Sequence, residues 1–188
     1  MPYLSFKLII PIILLSVPAI ADKNNKIEWE RFNFEGNDAF IILPAKDLKS
    51  DIPWVLYAPT LRGLPNERDE GWMINHFLKA GIAIAGINIG ESYGNINGRK
   101  IYSAYHKFLT EKKKFNQKAC LLARSRGGLM LYNWAADNPE KVQCIAGIYP
   151  VCNLKSYPGL KRAAPAYNMS TDELAESLAN NNPIRSEE

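Results

Sequence analysis

The sequence predicts an α/β protein with a doubly wound, mostly parallel sheet. Four near-continuous apolar runs, bounded by Gly and Pro, have the pattern of strands that are covered on both faces. Segments with helical spacing lie between them, and crossovers of that length join parallel strands. The four runs are residues 54–60 (WVLYAPT), 82–89 (IAIAGINI), 119–123 and 142–149 (VQCIAGIY).

Ahead of these strands, residues 26–34 and 39–43 form two short apolar-patterned runs around a Gly-Asn pair. Runs of that kind pair as an antiparallel hairpin. Helical segments are predicted at 66–80, 99–113 and 127–138, and a further one begins at Ser170, where Ser-Thr-Asp-Glu forms a capping box.

The first 21 residues have the pattern of a secretory signal peptide. Lys7 precedes an apolar run over 8–17, and Ala19-Ile-Ala21 follows it. The alternative is an uncleaved membrane anchor, although the run is shorter than the roughly 20 residues needed to span a bilayer. We expect residues 22–188 to form one secreted or periplasmic domain, with no membrane association after cleavage.

Composition narrows the classes of function. The net charge of +4 is small and spread along the chain, and no basic stripe is interleaved with aromatic residues. We therefore expect no nucleic-acid partner. Neither a C-x-x-C motif nor a histidine cluster is present, so we expect no metal and no cofactor.

Three cysteines permit at most one disulfide. Cys120 and Cys144 lie within apolar runs and are expected to behave as small buried hydrophobic residues. Export would allow a bridge, for instance between Cys144 and Cys152, although the spacing does not require one.

The stretch 120–136 (CLLARSRGGLMLYNWAA) predicts a buried strand, a sharp turn at Ser125 and a helix. Ala123-Arg-Ser-Arg-Gly127 fits a relaxed form of the G-x-S-x-G nucleophile elbow, where small residues two positions either side of the serine avoid clashes. The alternative is a turn serine that caps the following helix.

An elbow at Ser125 places the backbone N–H of Arg126 where it can donate to an oxyanion on a substrate carbonyl. A second donor is expected from the loop after the third strand, with Thr60 or Leu61 the best candidates. The alternative is that this loop, residues 58–65, is a simple Pro/Gly connection with no role in the site.

Ligands of open α/β sheets bind at the carboxyl edge of the strands. Glu91, Ser92 and Tyr93 follow the fourth strand at that edge and are predicted to line the pocket, unless the neighbouring glycines only make a turn. Arg124 and Arg126 flank Ser125, where they would orient an acidic substrate or pair with nearby carboxylates.

A serine hydrolase of this kind takes its acid and its histidine from positions after the nucleophile. Both histidines of the chain, His76 and His106, precede Ser125 and lie in predicted helices. They are expected to pack against neighbouring elements or to face solvent. Neither would then lie at the carboxyl edge of the strands, where the base must be to reach the Ser125 hydroxyl.

Residues 54–184 resemble an exported bacterial branch of the α/β-hydrolase superfamily, related to esterases and prolyl-oligopeptidase-type hydrolases. The residues that carry the resemblance are 57–61 (YAPTL), 86–94 (GINIGESYG), 123–128 (ARSRGG), 132–136 (YNWAA) and 148–152 (IYPVC). It implies Ser125 as nucleophile, Arg126 as an oxyanion donor, an acid after a seventh strand and a histidine after an eighth.

In similar proteins an Asn-Pro-Ile like that at 182–184 is followed by Asp and the last strands, whereas residues 185–188 here are Arg-Ser-Glu-Glu. The resemblance therefore implies a sheet without its last strands, cut short before the acid and the histidine. We expect a serine hydrolase of small ester or acyl substrates that is inactive in this form, or a non-catalytic ligand-binding relative. An exposed apolar sheet edge would favour self-association.

Overall fold

The computed structural model describes residues 27–45, 50–61 and 63–184, and a six-stranded sheet forms the framework of this part of the chain. The strands are β1 (Trp29–Phe34), β2 (Asn37–Ile42), β3 (Trp54–Tyr57), β4 (Ala83–Ile87), β5 (Ala119–Arg124) and β6 (Val142–Ile148). The helices are α1 (Glu67–Lys79), α2 (Ile96–Lys112), α3 (Gly127–Asp137), α4 (Leu160–Tyr167), α5 (Thr171–Glu176) and α6 (Leu178–Asn181).

The strand order is β1-β2-β4-β3-β5-β6. Strands β4, β3, β5 and β6 are parallel, whereas β1 and β2 join antiparallel to one another and to β4. One core cluster contains Ile74 of α1, and the cluster on the other face contains Tyr105 of α2 and Leu131 of α3. Helices thus cover both faces, and the predicted doubly wound α/β sheet is confirmed.

The predicted hairpin is also confirmed. Glu35 and Gly36 have positive φ angles of 49° and 85°, the combination that a two-residue turn needs to match the twist of its strands. The Gly36 N–H donates to Asn33 Oδ1 at 2.9 Å. Asn37 is the first residue of β2 rather than part of the turn.

Several element boundaries differ from the predicted ones. β3 ends at Tyr57 and β4 at Ile87, because the apolar residues that follow leave the sheet as loops at its carboxyl edge. α2 begins at Ile96, since the Asn95 side chain accepts the Gly98 N–H and caps the helix earlier than predicted. α4 was not predicted, and Pro165 lies inside it.

The prediction that β6 is covered on both faces is wrong. Residues 143–147 are exposed, and Ile145 keeps 55% of its surface accessible. Within the described chain β6 pairs with β5 alone, so its other edge has no strand beside it.

The expectations for the cysteines are also corrected. Cys120 and Cys144 are bonded to each other, and Cys152 is free. The two bonded residues are direct neighbours across β5 and β6, with Cα atoms 4.5 Å apart. Adjacent strands therefore bring together two residues that the sequence places 24 positions apart.

The segment after β6 folds back over the carboxyl edge of the sheet. Helices α4 to α6 share a third apolar cluster with Tyr93 and Leu129. Buried polar contacts fix this segment: Asn133 Nδ2 donates to the Asn181 carbonyl at 2.9 Å, and Arg99 donates to Asn181 Oδ1 at 3.2 Å. None of the helices that the structure describes is long and apolar enough to span a membrane.

Loss of the disulfide is expected to lower stability. Closing a loop of this length in the unfolded chain contributes about 3 kcal/mol, so Cys120→Ser should lower the free energy of unfolding by about that amount in urea titrations. Cys152→Ser is the matched control and should change it little. Alkylation of Cys120 or Cys144 in the folded, unreduced protein would contradict the assigned pairing.

Candidate active site

Ser125 occupies a sharp reversal between β5 and α3. β5 ends at Arg124 and α3 begins at Gly127, so two residues turn the chain. Ser125 has a φ of +51°, a left-handed conformation that is uncommon for a residue with a side chain. The Ser125 N–H donates to the Ile148 carbonyl at 3.1 Å, and its own carbonyl accepts from the Val151 N–H at 2.8 Å.

The glycines after Ser125 allow other loops to approach it. A Cβ on Gly127 would lie 3.3 Å from the Ala58 Cβ and 3.6 Å from the Thr60 Cγ2. A Cβ on Gly128 would lie 2.4 Å from the Val151 carbonyl oxygen, which is too close for any other residue. The loops after β3 and β6 therefore both meet the first turn of α3.

Several polar groups around this turn have no hydrogen-bond partner among the described residues. α3 has no side-chain cap, so Ser125 is not a capping serine as the alternative interpretation supposed. Within the described residues the Ser125 hydroxyl makes no hydrogen bond, and the backbone N–H groups of Arg126, Thr60 and Leu61 donate none. A hydroxyl beside free donors is the arrangement needed to attack a carbonyl and to stabilise the resulting oxyanion.

Arg124 points toward α1 and is held by a buried carboxylate. Its Nη1 lies 3.0 Å from Glu70 Oε1, which also accepts the Tyr57 hydroxyl at 2.7 Å. Its Nε donates to the Tyr149 hydroxyl at 2.6 Å. The hydrogen bonds to Tyr149 and Glu70 raise the pKa of Arg124, while burial and the Glu70 hydrogen bond raise the pKa of Tyr57.

Arg126 points to the loops above the sheet. Its Nη2 lies 2.7 Å from Glu91 Oε1 and also donates to the Thr60 carbonyl. Its Nη1 donates a long, 3.4 Å hydrogen bond to the Tyr157 hydroxyl. Both arginines thus pair with carboxylates, which confirms one of their two predicted roles. Binding of an acidic substrate stays a prediction.

The three residues predicted to line a pocket lie in different surroundings. Glu91 is exposed, beside Arg126. Ser92 and Tyr93 are only 7% and 5% exposed: the Ser92 hydroxyl accepts the Gly94 N–H, and Tyr93 packs against Leu129. Contact of these residues with a substrate stays a prediction.

His106 lies at the opposite edge of the sheet from Ser125. It is buried between Trp54 and Trp134, with ring centroids 5.6 and 5.5 Å away. Its Nε2 is 3.0 Å from the carbonyl of Gln117, two residues before β5; because a carbonyl only accepts, Nε2 carries the proton. Burial lowers the pKa of His106, and the six-residue β5 separates the two edges by about 20 Å.

His76 is on the outer face of α1. Its ring packs against that of Trp72 in a tilted arrangement, at a centroid distance of 4.0 Å, and its Nδ1 lies 2.7 Å from the Trp72 carbonyl oxygen. As predicted, both histidines lie in helices: His106 is packed in the core and His76 is at the surface. Neither contacts the Ser125 turn.

Sequence reasoning missed three residues of the site: Glu70, Tyr149 and Tyr157. Glu70 had a usable signal, because it lies four positions before the buried Ile74 and so shares the core face of α1. Tyr149 follows β6 directly at the carboxyl edge. Tyr157 had no local signal, since the fold of the segment after β6 alone brings it to Arg126.

No protein-family model matches the sequence, and no curated protein matches it. Solved structures do resemble it. An S-formylglutathione hydrolase from Agrobacterium tumefaciens is 14% identical with a TM-score of 0.64, over 84% of this chain and 68% of that one. One from Staphylococcus aureus is 10% identical with a TM-score of 0.63, over 86% and 72%.

A prolyl endopeptidase is 19% identical with a TM-score of 0.61 over 85% of this chain, which spans only 27% of that larger protein. All of these neighbours are α/β-hydrolases. At such low identity the likeness establishes the fold alone. The chain has the α/β-hydrolase fold.

The left-handed backbone at Ser125 predicts an unusual pair of substitutions. A left-handed residue with a Cβ is strained by about 1–2 kcal/mol, and glycine is not. Ser125→Gly should therefore unfold at higher urea concentration than Ser125→Ala, although glycine is elsewhere the less stabilising residue. Equal midpoints, or a less stable glycine variant, would contradict the assigned turn.

Proposed function

We propose that the chain carries the nucleophile and oxyanion site of a serine hydrolase that acts on small ester or related acyl substrates. The observation that carries this proposal is the left-handed Ser125, whose free hydroxyl lies in a two-residue turn ahead of α3. A carboxylesterase and two S-formylglutathione hydrolases among the structural neighbours support the substrate class.

In the proposed reaction Ser125 Oγ attacks the carbonyl carbon while its proton passes to a base. The carbonyl oxygen becomes an oxyanion, stabilised by the Arg126 N–H and a donor from Thr60 or Leu61. Expulsion of the protonated alcohol leaves an acyl-enzyme, and water then releases the acid and restores the serine.

The same proposal predicts that these 188 residues turn substrate over poorly. An unassisted serine hydroxyl is a weak nucleophile, and neither His76 nor His106 lies near Ser125. The oxyanion donors and substrate binding would still give residual acceleration, on the order of 10³–10⁴ over water for enzymes that lack a triad member.

Chemical rescue tests this proposal. A fluorophosphonate forms a bond to Ser125 Oγ and loses fluoride, while added imidazole takes the serine proton. We expect slow labelling alone, faster labelling with rising imidazole, and none in Ser125→Ala, measured by intact-mass spectrometry and peptide mapping.

Absence of Ser125 labelling at every imidazole concentration would contradict a hydrolase and favour a non-catalytic ligand-binding protein. Rapid labelling without imidazole would instead contradict the claim of poor turnover.

We further propose that the protein is exported. The pattern of residues 1–21, which lie outside the described residues, supports this, and so does the Cys120–Cys144 bond, since disulfides persist in oxidising compartments.

We also propose that the chain self-associates through β6. The edge of β6 that has no strand beside it among the described residues runs over residues 142–148, which contain no charged side chain or proline to block strand pairing. Two copies can therefore pair antiparallel without opposing like charges.

Placing a charge on this edge should reduce association. Ile145→Lys is expected to raise the monomer fraction in sedimentation velocity experiments. Leu43→Lys, at a similarly exposed apolar residue outside β6, is the matched control. A fully monomeric wild type at high concentration would contradict the proposal.

A further inference from the structure

The Arg126 side chain connects three separate loops at the carboxyl edge of the sheet. Its guanidinium contacts Thr60 after β3, Glu91 after β4 and Tyr157 after β6. The side chain is only 16% exposed. A desolvated guanidinium that reaches three loops restricts all of them, because its planar donors have fixed directions.

The contact with Thr60 fixes one peptide plane. The Thr60–Leu61 bond is trans, so the Thr60 carbonyl and the Leu61 N–H point in opposite directions. When Arg126 holds this carbonyl, it also sets the direction of the Leu61 N–H. The Thr60 N–H belongs to the preceding peptide plane, which Arg126 does not contact.

An ion pair with Glu91 fixes the position of the Arg126 guanidinium. Glu91 Oε1 lies 2.7 Å from the same Nη2 that donates to Thr60. The carboxylate offsets the charge of Arg126 and limits its rotamers. The loop after β4 is thereby coupled to the loop after β3 through one nitrogen.

We propose that Arg126 is the positioning residue of the oxyanion site and that Leu61, rather than Thr60, supplies the second donor. This rests on the proposed serine hydrolase function. Arg126 would then act twice: its backbone N–H is one donor, and its side chain orients the peptide that carries the other. Preorganised donors stabilise an oxyanion because they need no reorientation during the reaction.

The two roles of Arg126 can be separated by substitution, since a change of side chain leaves the backbone N–H in place. Arg126→Met removes all three contacts at similar length. Arg126→Lys keeps the charge but not the planar fork, and Glu91→Gln weakens the support of the guanidinium. Arg68→Met is the matched control, because Arg68 is 87% exposed and pairs only with Asp69 among the described residues.

Loop order is measured first, by ¹⁵N relaxation of the full chain. The amides of Thr60 and Leu61 should have order parameters near 0.85 in the wild type and below about 0.6 in Arg126→Met. This readout does not depend on a reactive serine. Unchanged order parameters would overturn the proposal.

Reactivity is measured next, by fluorophosphonate labelling at saturating imidazole. Arg126→Met should lower the maximal labelling rate about 10- to 100-fold. This decrease is smaller than, or comparable to, the decrease caused by removing one oxyanion donor entirely. The inhibitor concentration for half-maximal rate should change little, Arg126→Lys should recover part of the rate, and Arg68→Met should behave as wild type.

A merely structural role for Arg126 would reduce the fraction of protein that labels rather than its rate, and that result would overturn the proposal. A wild type that never labels would refute the hydrolase function and, with it, the oxyanion role. Disordering of Leu61 in Arg126→Met would then show that Arg126 still orders the loop, which separates the two failures.

Discussion

The left-handed backbone at Ser125 is the constraint on which the site depends. A chain that leaves β5 and enters α3 within two residues needs this conformation, and the strain it carries is on the order of 1–2 kcal/mol. The turn persists because Ile148 and Val151 hydrogen-bond to both sides of Ser125 and because the first turns of α3 are fully buried. The end of β6 and the loop after it therefore hold the backbone of the residue that carries the hydroxyl.

The arginines on either side of Ser125 connect the turn to other parts of the fold through ion pairs. Arg124, the last residue of β5, reaches the buried Glu70 on α1, whereas Arg126 reaches Glu91 and the loops above. Each guanidinium is neutralised by a carboxylate, so the hydroxyl does not lie between two unpaired cations. An acidic substrate would have to displace Glu91, which is the more exposed of the two carboxylates.

The sequence predicted the sheet and the elbow because both depend on local patterns: apolar runs define the strands, and small residues around Ser125 define the turn. It failed where the outcome depends on distant neighbours. β6 has the apolar composition of a strand covered on both faces, yet nothing in residues 142–148 reveals that residues 143–147 stay exposed among the described residues. The Cys120–Cys144 bond depends on the register of two strands, and the hydrogen bond from Arg126 to the Thr60 carbonyl depends on the conformation of two loops. Neither can be predicted from a local sequence pattern.

The direction of the helices explains why neither histidine reaches the serine. In this fold each helix starts at the carboxyl edge of the sheet and returns toward the amino edge, so residues late in a helix are carried away from Ser125. His76 lies in the second half of α1, and His106 in the second half of α2. A base for Ser125 has to come within about 2.6–3.2 Å of the hydroxyl. A residue on a loop at the carboxyl edge can reach that distance, whereas a residue in the second half of a helix cannot. A free imidazole from solvent meets the same requirement as a loop histidine, because proton transfer depends on reach and pKa rather than on attachment to the chain.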